Sequence, residues 1–247
     1  LNKGAYGGFG WYFGKLAINP ANDDELLVCG VDLHKSTTGG VKFAVSGPGW
    51  SSYELHADKH DIQYFSDHSF LIATDGGLYK TVDNGNKFTH FDNLPLTQFY
   101  RVAYNPNEPE QYFGGAQDNG TSGGNEAIAS DWPRLYGGDG FQPIFDPLDP
   151  NNAIFTTQNG GIGVVSQGGG ANGEIGINPL DRVNWDVPIH LNEKNPKLMY
   201  MGTYRVYKNV DGFSPRWDSV SNDLTDGIVT ASTFHNISAI HSSAIDE

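Results

Sequence analysis

The chain has 247 residues, enough for one or two domains with a sizeable core, and a formal charge of −14 from 15 Lys+Arg against 29 Asp+Glu. No basic stripe is present of the kind that replaces phosphate counterions, which argues against nucleic acid and against anionic membrane surfaces as partners. The 32 Gly, 13 Pro and 13% aromatic content, with little helical periodicity, point to an all-β chain of many short strands.

In chain order, the start at Leu1 rather than Met reads as a processed or truncated product. The single cysteine, Cys29, excludes an internal disulfide, and its place in the apolar run Leu26–Cys29 reads as a buried structural thiol. No stretch reaches the roughly 18 apolar residues of a helical membrane span, so membrane insertion is not expected.

An apolar strand, a Gly/Asp/Asn turn and a second strand recur five times. The second strand ends in turn at Ser36, Thr81, Thr121, Ser166 and Asn209, a spacing of roughly forty to forty-five residues. That period is the period of a four-stranded propeller blade. Each unit is preceded by a further strand. Asn19-Pro20, Asn105-Pro106, Asp146-Pro147 and Asn195-Pro196 mark strand ends, because proline cannot sit inside a central ladder.

The units span about residues 1–50, 51–93, 94–133, 134–180 and 181–225, and His235–Ile240 reads as the inner strand of a sixth. The expected fold is an all-β propeller of four-stranded blades, about five blades plus one strand. Unpaired edge strands would remain, so the chain is expected to partner the remainder of its own longer chain.

The stretch Ser69–Phe88 shows the unit most clearly: a hairpin around Asp75-Gly76-Gly77, then Thr81-Val82-Asp83-Asn84-Gly85-Asn86-Lys87-Phe88. The latter is close to the Asp-box pattern S/T-x-D-x-G-x-T-W/F, with Lys87 in place of Thr. In that pattern the Asp side chain bonds the backbone of its own turn and Gly takes a positive φ.

The run from ATDGGLYKT through NLPLTQFYRVAYNPNEPEQYFGGAQDNGT and GGDGFQPIFDPLDPNNAIFTTQNGG to NWDVPIHLNEKNPKLMYMGTYRVYKN covers most of the chain from about His56 onward. It resembles the secreted bacterial BNR/Asp-box propellers related to sortilin, which carry a glycosyl-hydrolase-like label through kinship to xyloglucan-cleaving propellers. The resemblance implies a multi-bladed propeller exported from the cytoplasm, secreted or at the cell surface. It implies no settled activity, because fold does not fix function.

Candidate site residues follow from where inner strands begin. Alignment on the Asn/Asp-Pro marks makes Phe13, His60, Phe99 and Gly140 equivalent, so their neighbours are expected around one channel mouth. The densest polar cluster is His56-Ala57-Asp58-Lys59-His60-Asp61. Alternation along a strand would put His56, Asp58 and His60 on one face, as ligand-binding residues or as ligands to a divalent metal. Glycoside hydrolysis needs two carboxyl groups at a set separation, and the expected pair is Asp58 or Asp61 with Asp139.

A sialidase reading fails, because Arg101, Arg134, Arg182, Arg205 and Arg216 do not form that chemistry's arginine motif. Gln98, Tyr100, Arg101, Phe141 and Trp185 are the remaining expected ligand contacts, the aromatics as platforms for sugar rings. No cofactor is required. Asp118 and Asn119 offer a weak calcium site, or simply a tight hairpin. Together these residues point to an exported module that binds a polysaccharide or a protein. The alternatives are a xyloglucanase-type hydrolase and a sortilin-like peptide receptor.

Overall fold

The computed structural model describes residues 9–94, 96–128, 131–166, 170–174, 177–178, 180–227 and 235–243. The chain divides into two compact units, Leu1–Leu96 and Thr97–Glu247. Among the described residues the strands form five four-stranded antiparallel sheets, each a meander in chain order, the blade unit of a β-propeller.

The first unit holds two blades. One comprises β1 (Leu16–Asn19), β2 (Asn22–Val28), β3 (His34–Ser36) and β4 (Ala44–Val45). The other comprises β5 (Lys59–Tyr64), β6 (Phe70–Thr74), β7 (Gly77–Thr81) and β8 (Thr89–His90). Leu27, Cys29, Leu33, Leu55, Ile62, Phe70, Ile72 and Tyr79 pack together as its core. Cys29 is completely buried, and burial pushes its thiol up to about 12, as expected of a structural cysteine.

The second unit holds three blades. They are β9 (Arg101–Asn105), β10 (Glu108–Ala116), β11 (Gly120–Asn125) and β12 (Arg134–Tyr136); β13 (Gly140–Phe145), β14 (Asn152–Thr157), β15 (Gly161–Ser166) and β16 (Gly170–Glu174); and β17 (Ile189–Leu191), β18 (Met199–Gly202), β19 (Val206–Asn209) and β20 (Asp218–Ser219). Phe113, Phe145, Ala153 and Phe155 fill the wedge between the first two of these sheets. Ile144, Ile154, Ile162, Met199, Met201 and Tyr207 belong to the wedge between the second and the third. Each of the Ile, Met and Phe side chains contributes about 1.5–3 kcal/mol on burial.

The repeat rests on polar residues at two register positions, all buried except the half-buried Asp146. At the end of the inner strand, Asn19 Oδ1 accepts the Ala21 N–H, Asn105 Oδ1 the Asn107 N–H, Asp146 Oδ1 the Leu148 N–H and Asn192 Oδ1 the Lys194 N–H. In the fifth blade, therefore, the residue equivalent to Asn19 is Asn192, ahead of the Asn195-Pro196 pair that the sequence pattern picks out.

At the end of the third strand, Ser36 Oγ accepts from Thr38 and Gly40, Thr81 Oγ1 from Asp83 and Gly85, and Asn209 Oδ1 from Asp211. In the third blade the returning strand runs on to Asn125, and Thr121 lies near its beginning, because Gln117-Asp118-Asn119 is the hairpin turn and not its end.

The turn 81–88 is built from such bonds. Asp83 Oδ1 accepts the backbone N–H groups of Asn86 and Lys87 at 3.1 and 2.9 Å, and those bonds hold its carboxyl below the usual range. Gly85 sits at φ +88°, and Phe88 meets Phe70 edge-on at 6.0 Å. Replacing the buried Thr81 by valine keeps its shape but strands the Gly85 N–H. The expected loss is about 1–2 kcal/mol in urea unfolding, with Thr81→Ser nearer wild type.

Candidate functional site

In the first unit the expected polar row does not form along one strand face. Asp58 adopts a left-handed conformation, φ +57°, just before β5, and the register slips between Lys59 and Asp61. Alternation of faces needs continuous extended backbone, so His56, Asp58 and His60 are not presented as a row. Lys59 is completely buried and donates from Nζ to the Val31 carbonyl at 2.6 Å; burial lowers its pKa.

His60 remains accessible. Its Nε2 meets Asp75 Oδ1 at 2.5 Å, and its ring packs against Tyr12 and Phe13 with centroids 5.2 and 5.7 Å away. Burial, and then the neighbouring Asp75 charge, raises the Asp58 carboxyl. His56 packs over Gly76, where a Cβ would overlap its ring. Asp61 points away to the surface and pairs with Lys15 at 2.5 Å while capping the Ile62 N–H. Trp11 and Tyr12 are exposed side by side, 5.5 Å apart.

The second unit brings together most of the expected ligand contacts. Phe141, at the start of β13, is wholly buried and forms a base. Tyr100 lies against it at 5.0 Å, and Trp185 meets it edge-on at 6.3 Å, interplanar angle 84°. Tyr100 is 47% and Trp185 43% exposed, so two rings face solvent from a fixed support. The Tyr100 hydroxyl donates to Gln117 Oε1 at 2.7 Å.

Arg101, the first residue of β9, reaches Asp186 Oδ2 through Nε and one Nη at 3.1 and 2.8 Å. Asp186 directly follows Trp185, and so this pair ties the tryptophan loop to the start of β9, directly after Tyr100. Gln98 lies exposed in the segment leading into β9.

Asp139 is buried at the rim of this cluster. Its Oδ1 accepts the Asp118 N–H at 2.7 Å, and its own N–H donates to Gln158 Oε1 at 2.8 Å. Asp118 takes φ +60° in the β10–β11 turn, and the Asn119 side chain donates to the Gln117 carbonyl. Beside Asp139, Tyr136, Gly137, Gly138, Thr157 and Gln158 line an open pocket of about 420 Å³.

One buried cluster escapes sequence reading. Asp181, its side chain 1% exposed, accepts from Arg205 Nε at 3.0 Å and Nη2 at 2.5 Å, from the Tyr207 hydroxyl at 2.6 Å and from Thr203 Oγ1 at 3.1 Å. Burial alone would raise the Asp181 pKa, but the bonds from Arg205, Tyr207 and Thr203 outweigh it and hold the carboxyl below its ordinary range. The Arg205 and Arg182 guanidiniums both lie over the Tyr204 ring, at 4.8 and 4.3 Å. No motif joins these residues, because the pairing arises only when the β18–β19 turn and β19 come against the loop before β17.

No protein-family model matches the sequence, and no curated protein matches it. Solved structures match at low identity. An ancestral GH74 enzyme is 14% identical, the match covering 84% of this chain and 31% of that one, with a TM-score of 0.37. The GH74 xyloglucanase from Xanthomonas campestris is 12% identical over 86% of this chain and 39% of its own, TM-score 0.39. A structure of YCF48 bound to D1 peptide is 14% identical over 84% and 67%, TM-score 0.40. The chain thus spans less than half of either GH74 structure. No helix among the described residues is long and apolar enough to cross a membrane.

Proposed function

We propose that this chain is part of an exported Asp-box propeller that binds a glycan on the Tyr100–Phe141–Trp185 ledge. The observation that carries the reading is the ledge itself: two half-exposed rings held on a fully buried third, with the Arg101–Asp186 pair fixing the loop beneath. Rigid aromatic faces offer large apolar area at little entropic cost, and the flanking Gln117 and Arg101 supply polar contacts for sugar hydroxyls. The Asp-box assignment is supported by the hydrogen bonds of the turn 81–88.

Binding is favoured over hydrolysis by the state of the carboxylates. Asp139 holds the Asp118 backbone, and Asp61 holds Lys15 and the Ile62 backbone. A carboxylate bound to backbone donors is poorly placed to exchange protons with a leaving group. Asp58, raised by burial and by Asp75, is the carboxyl with the character of an acid, so a hydrolase is the second reading.

The test is retention of the 247-residue chain in affinity electrophoresis through a panel of plant and microbial polysaccharides. Retention on at least one is expected, with Trp185→Ala and Tyr100→Ala each weakening it by roughly tenfold, ~1.4 kcal/mol. Equal retention of wild type and both variants would contradict the assignment of the ledge. Retention on none would remove glycans as the ligand class.

A further inference from the structure

We propose that the seam between the fifth blade and segment 235–243 is a pH-sensitive clasp, closed by the close ring contact of His190 and His241 and loosened when these rings take up protons. The clasp shares no residue with the aromatic ledge and stands whether or not a glycan binds there.

Segment 235–243 has no ladder of its own, yet it is tied to the fifth unit at four points, the first being the His235 carbonyl, which accepts from Arg182 Nε at 3.4 Å and Thr225 Oγ1 at 3.1 Å. The Ile237 N–H donates to the Thr203 carbonyl at 2.7 Å, just beyond β18. The Asn192 side-chain amide donates to Ser242 Oγ at 2.9 Å and to the Ser243 carbonyl at 3.2 Å. Between them His241 stacks on His190, centroids 4.1 Å apart and planes inclined by 31°.

The Asn192 bond has a counterpart in the first unit, where the equivalent Asn19 donates to the Asp67 carbonyl of the next blade. These two blade junctions therefore share the amide tie, and the histidine pair is an addition at this one.

Stacking at that distance suits two neutral imidazoles. Two imidazolium rings would set like charges face to face. His190 Nε2 is buried without a hydrogen-bond partner, so a proton there would have nothing to stabilise it. Burial, and then His241, lowers the His190 pKa, whereas Glu193 acts in the opposite direction.

The other charged groups on this face lie across the sheet. Tyr200 is opposite His190 in register, Lys208 opposite Tyr200, and Asp218 opposite Lys208; the Lys208 ammonium sits over the Tyr200 ring at 5.7 Å.

The sign follows by linkage. A histidine whose pKa is lower in the closed seam binds its proton more readily when the seam is open. Closure is complete above the free histidine value near 6.5 and weakens as pH falls through it. The open:closed ratio rises by up to about tenfold per pH unit until the closed-state value is passed.

The measurement is amide hydrogen exchange of Ile237 between about pH 8 and pH 5, corrected for the intrinsic rate, with Met201 and Tyr207 as core reporters of the same blade. Protection of Ile237 is expected to fall as the pH drops through the free histidine range while Met201 and Tyr207 keep theirs. His241→Phe retains a ring and removes the second charge but leaves His190 buried, so the pH-dependent fall in Ile237 protection is expected to be smaller than in the wild type. Flat protection in the wild type, an unchanged pH dependence in His241→Phe, or parallel loss at Met201 and Tyr207 would each overturn the clasp.

Discussion

Asp181→Ala is expected to cost ~3–5 kcal/mol, the largest single loss among polar residues of the second unit. The substitution removes one buried carboxylate, taking the counterion from the Arg205 guanidinium and the acceptor from the buried Tyr207 hydroxyl, while the Thr203 hydroxyl keeps the Arg205 carbonyl as its acceptor. Cost is dominated by what is left behind, since the buried Tyr207 hydroxyl keeps its desolvation penalty without an acceptor and the partly exposed Arg205 guanidinium loses its counterion. Asp181→Asn keeps the shape and accepts one bond, and is expected to fall between wild type and alanine.

The same carboxylate predicts acid lability. Its native pKa is depressed, so its stabilisation is present above the unfolded value of 3.8 and is lost as pH falls through the native one. Urea unfolding at about pH 7 and at successive pH values below about 4 reads both effects. Wild type is expected to converge on the Asp181→Ala curve in acid, and parallel curves at all pH values would contradict the account.

Gly115→Ala is expected to destabilise by about 3 kcal/mol despite adding a single carbon. A Cβ at Gly115 would overlap the backbone of Gly140 and Phe141, and one at Gly140 would overlap the Gly120 carbonyl. The obstacle is main chain on both sides, so no rotamer change relieves it and β10 must move away from β13. Phe141 is the base of the aromatic ledge, and Arg101 is the register partner of Gly115. Loss of stability should therefore come with loss of retention on polysaccharide at temperatures where the variant is still folded. Gly14, where an added methyl group would meet nothing within 4 Å, is the matched control, and Gly14→Ala is expected to stay within about 0.5 kcal/mol of wild type.

The blades are legible in the sequence because their markers are local. Ser36, Thr81 and Asn209 each bond backbone groups two to five residues away, and Asn19, Asn105 and Asp146 do the same at the first turn. The third blade misleads at Thr121 for a local reason too, since Gln117-Asp118-Asn119-Gly120 resembles both a hairpin turn and the close of a unit.

The aromatic ledge is partly legible. Tyr100, Phe141 and Trp185 stand at or before inner strands, but which ring is buried and which exposed depends on packing that no pattern encodes. The row of His56, Asp58 and His60 misleads because strand alternation cannot run through Asp58, whose positive φ breaks it. Asp181 with Arg205, and His190 with His241, join residues far apart in sequence through side chains alone, and nothing in their immediate neighbours announces them.

The most direct test of the central claim combines retention and release on one polysaccharide. The polysaccharide that retains the chain is incubated with it, and reducing ends are counted for wild type, Trp185→Ala and Asp139→Asn. Retention that depends on Trp185 is predicted, with reducing ends at the level of buffer for all three proteins. Release by wild type above the level of buffer would contradict the binding assignment and make the chain part of a glycoside hydrolase.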